Sequence, residues 1–102
     1  MIRLFISQPM AGKTDDEILA MRDRAIESAK RNLGEEVEVI DSFIRGRKGT
    51  ASPLGLLAKA LEQMATADAV YFAPGWEDAR GCRIEHACAM EYGLDVIEDY
   101  RK

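Results

Sequence analysis

Glu85 is a carboxylate placed where an open α/β sheet binds its ligands. It lies in Ala73-Pro74-Gly75-Trp76-Glu77-Asp78-Ala79-Arg80-Gly81-Cys82-Arg83-Ile84-Glu85-His86-Ala87. That stretch reads as a strand end, a loop and the start of a helix. Loops at the carboxyl ends of parallel strands form the binding crevice of such sheets. A carboxylate there could attack an electrophilic carbon or stabilise a small polar ligand. Most helical glutamates are surface residues. The neighbours of Glu85 at spacings of three, four and seven, however, are Cys82, Cys88, Ala89 and Tyr92, which are small or apolar, so this face points inward. A carboxylate buried without a Lys on its face needs a reason. His86 points elsewhere and reads as an exposed helix residue.

Other residues could share that crevice. Ser7-Gln8-Pro9-Met10-Ala11-Gly12-Lys13-Thr14 nearly spells a phosphate loop, which needs Gly, four residues, then Gly-Lys-Ser/Thr. Ser7 stands where the first Gly belongs, and Pro9 removes a backbone donor. The better reading of Gly12-Lys13-Thr14 is a tight turn before a capped helix. Ser7 and nearby N–H groups could still hold a hydroxyl or phosphate. A phosphate-accepting receiver domain needs acids after the first and third strands, where this chain has Ser7-Gln8 and Ala73-Pro74, so that class is excluded. Arg45, Gly46, Arg47 and Lys48 form a basic knot in an acidic chain. It is either a solvated loop tip or a phosphate clamp. Trp76 is either packed in the core or free to stack on a planar base. Asp68 is either a turn residue before a strand or a catalytic acid. Asp78 is a further carboxylate of the same loop as Trp76.

The elements that must position these residues alternate regularly. Ile2 to Ile6 is a short buried strand. Thr14 and Glu17 form a capping box for a helix running to about Asn32, with Ile18, Met21, Ala25, Ala29 and Leu33 on its apolar face, and Gly34 stops it. Glu36 to Ile40 is a second strand, followed by a polar loop from Asp41 to Ala51. Ser52 and Pro53 open a second helix as N-cap and first residue. Ala69 to Ala73 is a third strand, unbroken in its apolarity and therefore central. The helix carrying Glu85 ends at Gly93, and Leu94 to Ile97 is a fourth strand. This β-α-β-α-β-α-β order predicts a three-layer α/β/α domain with a flavodoxin-like parallel sheet of four to five strands, in the order 2-1-3-4.

The chain has 102 residues, 47% hydrophobic, with a net charge of −4 and a pI near 5.0. That is one domain, 1–102, and its acidity argues against nucleic-acid or membrane-surface binding. No apolar run is long enough to span a bilayer. Cys82 and Cys88 make neither a CxxC pair nor a metal set, and they read as reduced thiols of a cytoplasmic protein, Cys88 in the core. The second helix carries Leu54, Leu56, Leu57, Leu61 and Met64, with Ala58, Ala60 and Ala65 among them. That arc is wider than one sheet contact requires, which predicts a homodimer or larger.

Three segments in order carry a family resemblance. Ile6-Ser7-Gln8-Pro9-Met10-Ala11-Gly12 after the first strand, Ala67-Asp68-Ala69-Val70, and Gly81-Cys82-Arg83-Ile84-Glu85-His86-Ala87 together resemble the nucleoside 2-deoxyribosyltransferase superfamily, in its short bacterial and phage branch. The resemblance implies a small-molecule nucleoside or nucleotide substrate and cleavage of its N-glycosidic bond. Glu85 would be the nucleophile, Asp68 a second catalytic candidate, and no metal or organic cofactor would be needed. The substrate would meet Ser7, Gln8, Pro9, Met10, Gly12, Trp76, Asp78, Arg80 and Gly81, with Arg45, Arg47 and Lys48 toward a phosphate. The resemblance also implies oligomers that share sites. Phe5 stands where characterised relatives have a Tyr that orients the Glu, Gln8 replaces a Gly, and Ala60 falls near a helix-borne acid. These departures leave a non-catalytic nucleotide-binding module as the alternative. A NAD-glycohydrolase-like activity is a third reading.

Overall fold

The computed structural model describes residues 1–40 and 52–100. The elements are β1 (Ile2–Ser7), α1 (Asp15–Leu33), β2 (Val37–Val39), α2 (Pro53–Met64), β3 (Ala69–Phe72), a 3-10 turn (Trp76–Asp78), α3 (Arg80–Glu91) and β4 (Asp95–Glu98). All pairings are parallel and the sheet order is β2-β1-β3-β4. The fold is three-layer α/β of flavodoxin-like order. The last strand starts one residue later than its sequence suggested and runs to Glu98.

Strand alternation sorts the core into two layers. Leu4 and Ile6 of β1 join Ala69, Tyr71 and Ala73 in a cluster under Ala25 and Ala29 of α1. Phe5, Val70 and Phe72 point the other way, to Met64 of α2, Trp76, and Cys82 and Ala89 of α3. Leu4, Val70 and Phe72 are fully buried, which stabilises the fold by roughly 1.5–3 kcal/mol for each side chain. β3 is buried at all four residues, as a central parallel strand should be.

Local chemistry sets the helix ends. Thr14 Oγ1 accepts from Glu17 N–H at 3.1 Å and Glu17 Oε1 accepts from Thr14 N–H at 2.9 Å. These bonds hold the Glu17 carboxyl below the usual range. Gly34, at φ +71°, closes α1 in the left-handed region. Ser52 Oγ accepts from Gly55 N–H at 3.0 Å, with Pro53 in the first turn.

Helix α2 is docked loosely. Only Met64 is buried, with Ala60 and Leu61 packed against the core, while Leu54 is 74% exposed. Among the described residues, no helix is long and apolar enough to cross a membrane.

Candidate functional site

β1 carries its chain to the carboxyl edge of the sheet and ends at Ser7. The strand alternation that turns Phe5 toward α3 also turns Ser7 that way. Glu85 lies in the second turn of α3, on the face opposite. The Ser7 hydroxyl donates to Glu85 Oε1 at 2.6 Å. Both are buried, Ser7 at 2% exposure and Glu85 at 8%. Burial pushes the Glu85 carboxyl above its ordinary range, and the bond from Ser7 opposes this. Cys82, one turn earlier on α3, lines a cleft together with this pair. Burial pushes its thiol up to about 11; Ser7 opposes the shift and the charge of Glu85 adds to it.

These three side chains sit on the floor of an open cleft of about 1040 Å³ between β1, α2 and α3. Phe5, Leu56, Leu57 and Ala60 form an apolar wall, with Leu54 and Ile84 among the lining residues, while Lys59, Asp78 and Arg80 bring charge. Ala79 begins α3 without a side-chain cap. The first turn, Arg80 to Cys82, therefore opens on the cleft with backbone N–H groups the helix does not use, suited to an anionic or hydroxyl group. A Cβ at Gly81 would meet nothing within 4 Å, so that backbone is open to close approach. Gln8 also lines the cleft, and its buried carboxamide oxygen has no partner among the described residues.

Residues 2–98 match a family described as a domain of unknown function (DUF4406). The chain belongs to the DUF4406 family. No curated protein and no solved structure matches it. The matched span of the DUF4406 domain runs from the first residue of β1 to the last of β4, so it includes Ser7, Cys82, Glu85 and every element that walls the cleft.

The DUF4406 fold brings together Ser7, Gln8, Pro9, Met10, Asp78, Arg80, Gly81 and Glu85, as the sequence suggested. It does not bring in Gly12, which is exposed at φ +77° in a turn closed by Lys13 N–H to Met10 O. Asp68 lies at the opposite, amino edge of the sheet. Its carboxylate accepts from Arg3 N–H at 2.9 Å, and its own N–H donates to Arg3 O at 2.8 Å. It secures the start of β3 beside β1, the turn reading rather than the catalytic one.

Trp76 is a core residue and not a free stacking platform. Gly75, at φ +89°, bends the chain so that the indole turns inward. There it is stacked on His86 with centroids 4.2 Å apart and tilted against Phe72 at 5.5 Å. His86 is accordingly half-buried rather than exposed, its Nε2 lying 2.5 Å from Glu98 Oε2. Cys82 is the buried cysteine, whereas Cys88 is half-buried at the core margin. Arg45, Arg47 and Lys48 lie outside the described residues.

Sequence reasoning missed the α2 wall. Pro53, Leu56, Leu57, Ala60 and Gln63 line the cleft at spacings of three and four, a helical stripe legible in the chain. It shares Leu54, Leu56, Leu57 and Ala60 with the wide apolar arc that the sequence assigns to this helix. Among the described residues no three His, Cys, Asp or Glu side chains come together as a metal site.

Proposed function

We propose that this protein cleaves the N-glycosidic bond of a nucleoside or nucleotide, with Glu85 as nucleophile. The observation that carries this reading is the buried Ser7–Glu85 hydrogen bond on the cleft floor. A carboxylate nucleophile must be ionised and aimed. Burial strips it of water, and the Ser7 proton favours the charged form. Glu85 Oε attacks the anomeric carbon as the carbon–nitrogen bond to the base breaks. The electron pair leaves with the base, which takes a proton, and a glycosyl ester forms. Attack by water on the anomeric carbon then frees the sugar and regenerates Glu85; a second base would give transfer instead. The apolar wall of Phe5, Leu56 and Leu57 suits a base or sugar face. The open first turn of α3 suits hydroxyl or phosphate oxygens. The resemblance of the Ser7 and Glu85 segments to nucleoside 2-deoxyribosyltransferases supports the same chemistry.

The test is incubation with ribonucleosides, deoxynucleosides, their 5′-monophosphates and NAD, followed by chromatographic detection of free base. Release by the wild type and its loss in folded Glu85→Ala are expected. Full activity in Glu85→Ala would overturn the mechanism.

A second reading is favoured by Phe5 and Ala60. Both line the cleft, and neither offers a hydroxyl or an acid. In this reading the cleft binds a nucleotide without turning it over. Calorimetric binding without base release, retained in Glu85→Gln, would support it.

A further inference from the structure

Gln8 is the residue whose hydrogen bonding the site leaves unfinished. It is 8% exposed and lines the cleft, and its buried carboxamide oxygen meets no partner among the described residues. Such an oxygen loses the water it had in the unfolded chain and gains no bond in exchange. Its backbone is not free to carry it elsewhere. On one side Ser7 O accepts from Ala73 N–H at 2.9 Å; on the other, Pro9 confines Gln8 to extended backbone. An apolar side chain of the same length would fill the place without that penalty. An orphaned acceptor on the wall of a cleft calls for a group from outside the chain to complete it.

A carboxamide offers an acceptor oxygen and a donor nitrogen, and it turns readily about its last bond. A phosphate oxygen suits only the nitrogen, and an amine only the oxygen. A hydroxyl both donates and accepts, so it satisfies whichever end is presented. The position of that hydroxyl follows from the chain. Gln8 is one residue, about 3.8 Å between Cα atoms, from Ser7, whose own hydroxyl holds Glu85 Oε1 at 2.6 Å. This step rests on reading Glu85 as the nucleophile: the anomeric carbon then stands at that carboxylate, and the nearest hydroxyl is the one on the adjoining ring carbon. We propose that Gln8 accepts a hydrogen bond from the 2-hydroxyl of a pentose, so that the cleft takes ribonucleosides or their phosphates in preference to the 2-deoxy forms. A site of this kind rejects the analogue that lacks the hydroxyl, because the carboxamide is then left buried and unpaired.

Two measurements test this. The first is calorimetry of Glu85→Gln, which does not turn ligand over, with ribonucleosides, their 5′-monophosphates and the 2′-deoxy and 3′-deoxy counterparts of each. The ribo form is expected to bind about tenfold more tightly than the 2′-deoxy form, with the 3′-deoxy form close to the ribo form. Adding Gln8→Met should bring the ratio of ribo to 2′-deoxy near one. The second needs no ligand. Gln8→Met removes the orphaned oxygen at nearly unchanged volume, so its Tm is expected to rise by roughly 4–8 °C, and Gln8→Leu serves if the methionine variant does not fold. Equal affinity for ribo and 2′-deoxy forms, a loss confined to the 3′-deoxy forms, no binding by any of them, or a Tm that falls would overturn the proposal. Equal affinities with base release intact remove the role of Gln8 alone. A ribose preference without base release by the wild type removes the glycosidase chemistry alone.

Discussion

Replacing Ser7 by alanine probes the site without touching the carboxylate. In the folded chain the Ser7 proton is the hydrogen bond given to Glu85 Oε1, in surroundings 2% and 8% exposed. A bond to a charged group is worth about 1.5–3 kcal/mol, and one between neutral groups about 0.5–1.5 kcal/mol. With Glu85 ionised, Ser7→Ala should cost about 2 kcal/mol, because little water can replace the lost donor. For a domain near this size that lowers Tm by roughly 8–16 °C. In the Glu85→Gln background the same change should cost only about 1 kcal/mol. The double-mutant cycle should therefore show a coupling of about 1 kcal/mol, well above the additivity expected of independent sites. The assay is urea unfolding of the four proteins, repeated from neutral to acid pH. As Glu85 takes up a proton the cost of Ser7→Ala should shrink toward the neutral value. A cycle that is additive at neutral pH, or a cost that does not change with pH, would refute the claim that the hydroxyl serves a charged carboxylate.

Three further outcomes follow from the same geometry. Burial raises the Glu85 pKa in the folded chain, so stability is lost as pH rises through that value; Glu85→Gln should be the more stable protein at neutral pH, with its advantage gone below the ordinary glutamate range, and equal unfolding midpoints at both ends would contradict this. Nucleoside monophosphates should bind better than nucleosides, through the open first turn of α3 with Arg80 beside it, and the preference should weaken with salt; equal affinities by calorimetry at low salt would remove the phosphate from the reading. Light scattering should give a mass of at least twice 11.4 kDa, because α2 leaves Leu54 74% exposed beside half-buried Leu56 and Leu57; a monomer at micromolar concentration would refute the dimer.

The fold was legible because its signals are local. Thr14 and Glu17, Gly34, and Ser52 with Pro53 mark helix ends by chemistry that needs no distant partner. The alternation of Leu4 and Ile6 with Phe5 and Ser7 reads directly as two faces of a strand. Glu85 was legible for the same reason, since Cys82 and Ala89 on its own helix reveal its face. Asp68 could have been excluded from the site beforehand: a residue that precedes a parallel strand lies at the amino edge, away from the ends of β1 and β3. Trp76 and His86 were not legible. Where the indole goes depends on the left-handed bend at Gly75, and the surroundings of His86 depend on Glu98 of β4, twelve residues away. The α2 wall was hidden differently, because the apolar arc of that helix is wider than one contact and helical spacing alone cannot say which part meets the sheet and which the cleft.

The chain's one tryptophan and its one histidine lie nearly parallel, 19° apart in plane. Indole emission responds to a ring stacked on it, so the unlabelled protein carries its own optical gauge. Trp76 begins the turn that ends at Asp78, and Asp78 to Cys82 form part of the cleft wall. A ligand that displaces that wall changes the overlap of the two rings. Binding that shifts this wall would then be read in the native chain by exciting a single residue that does not line the cleft.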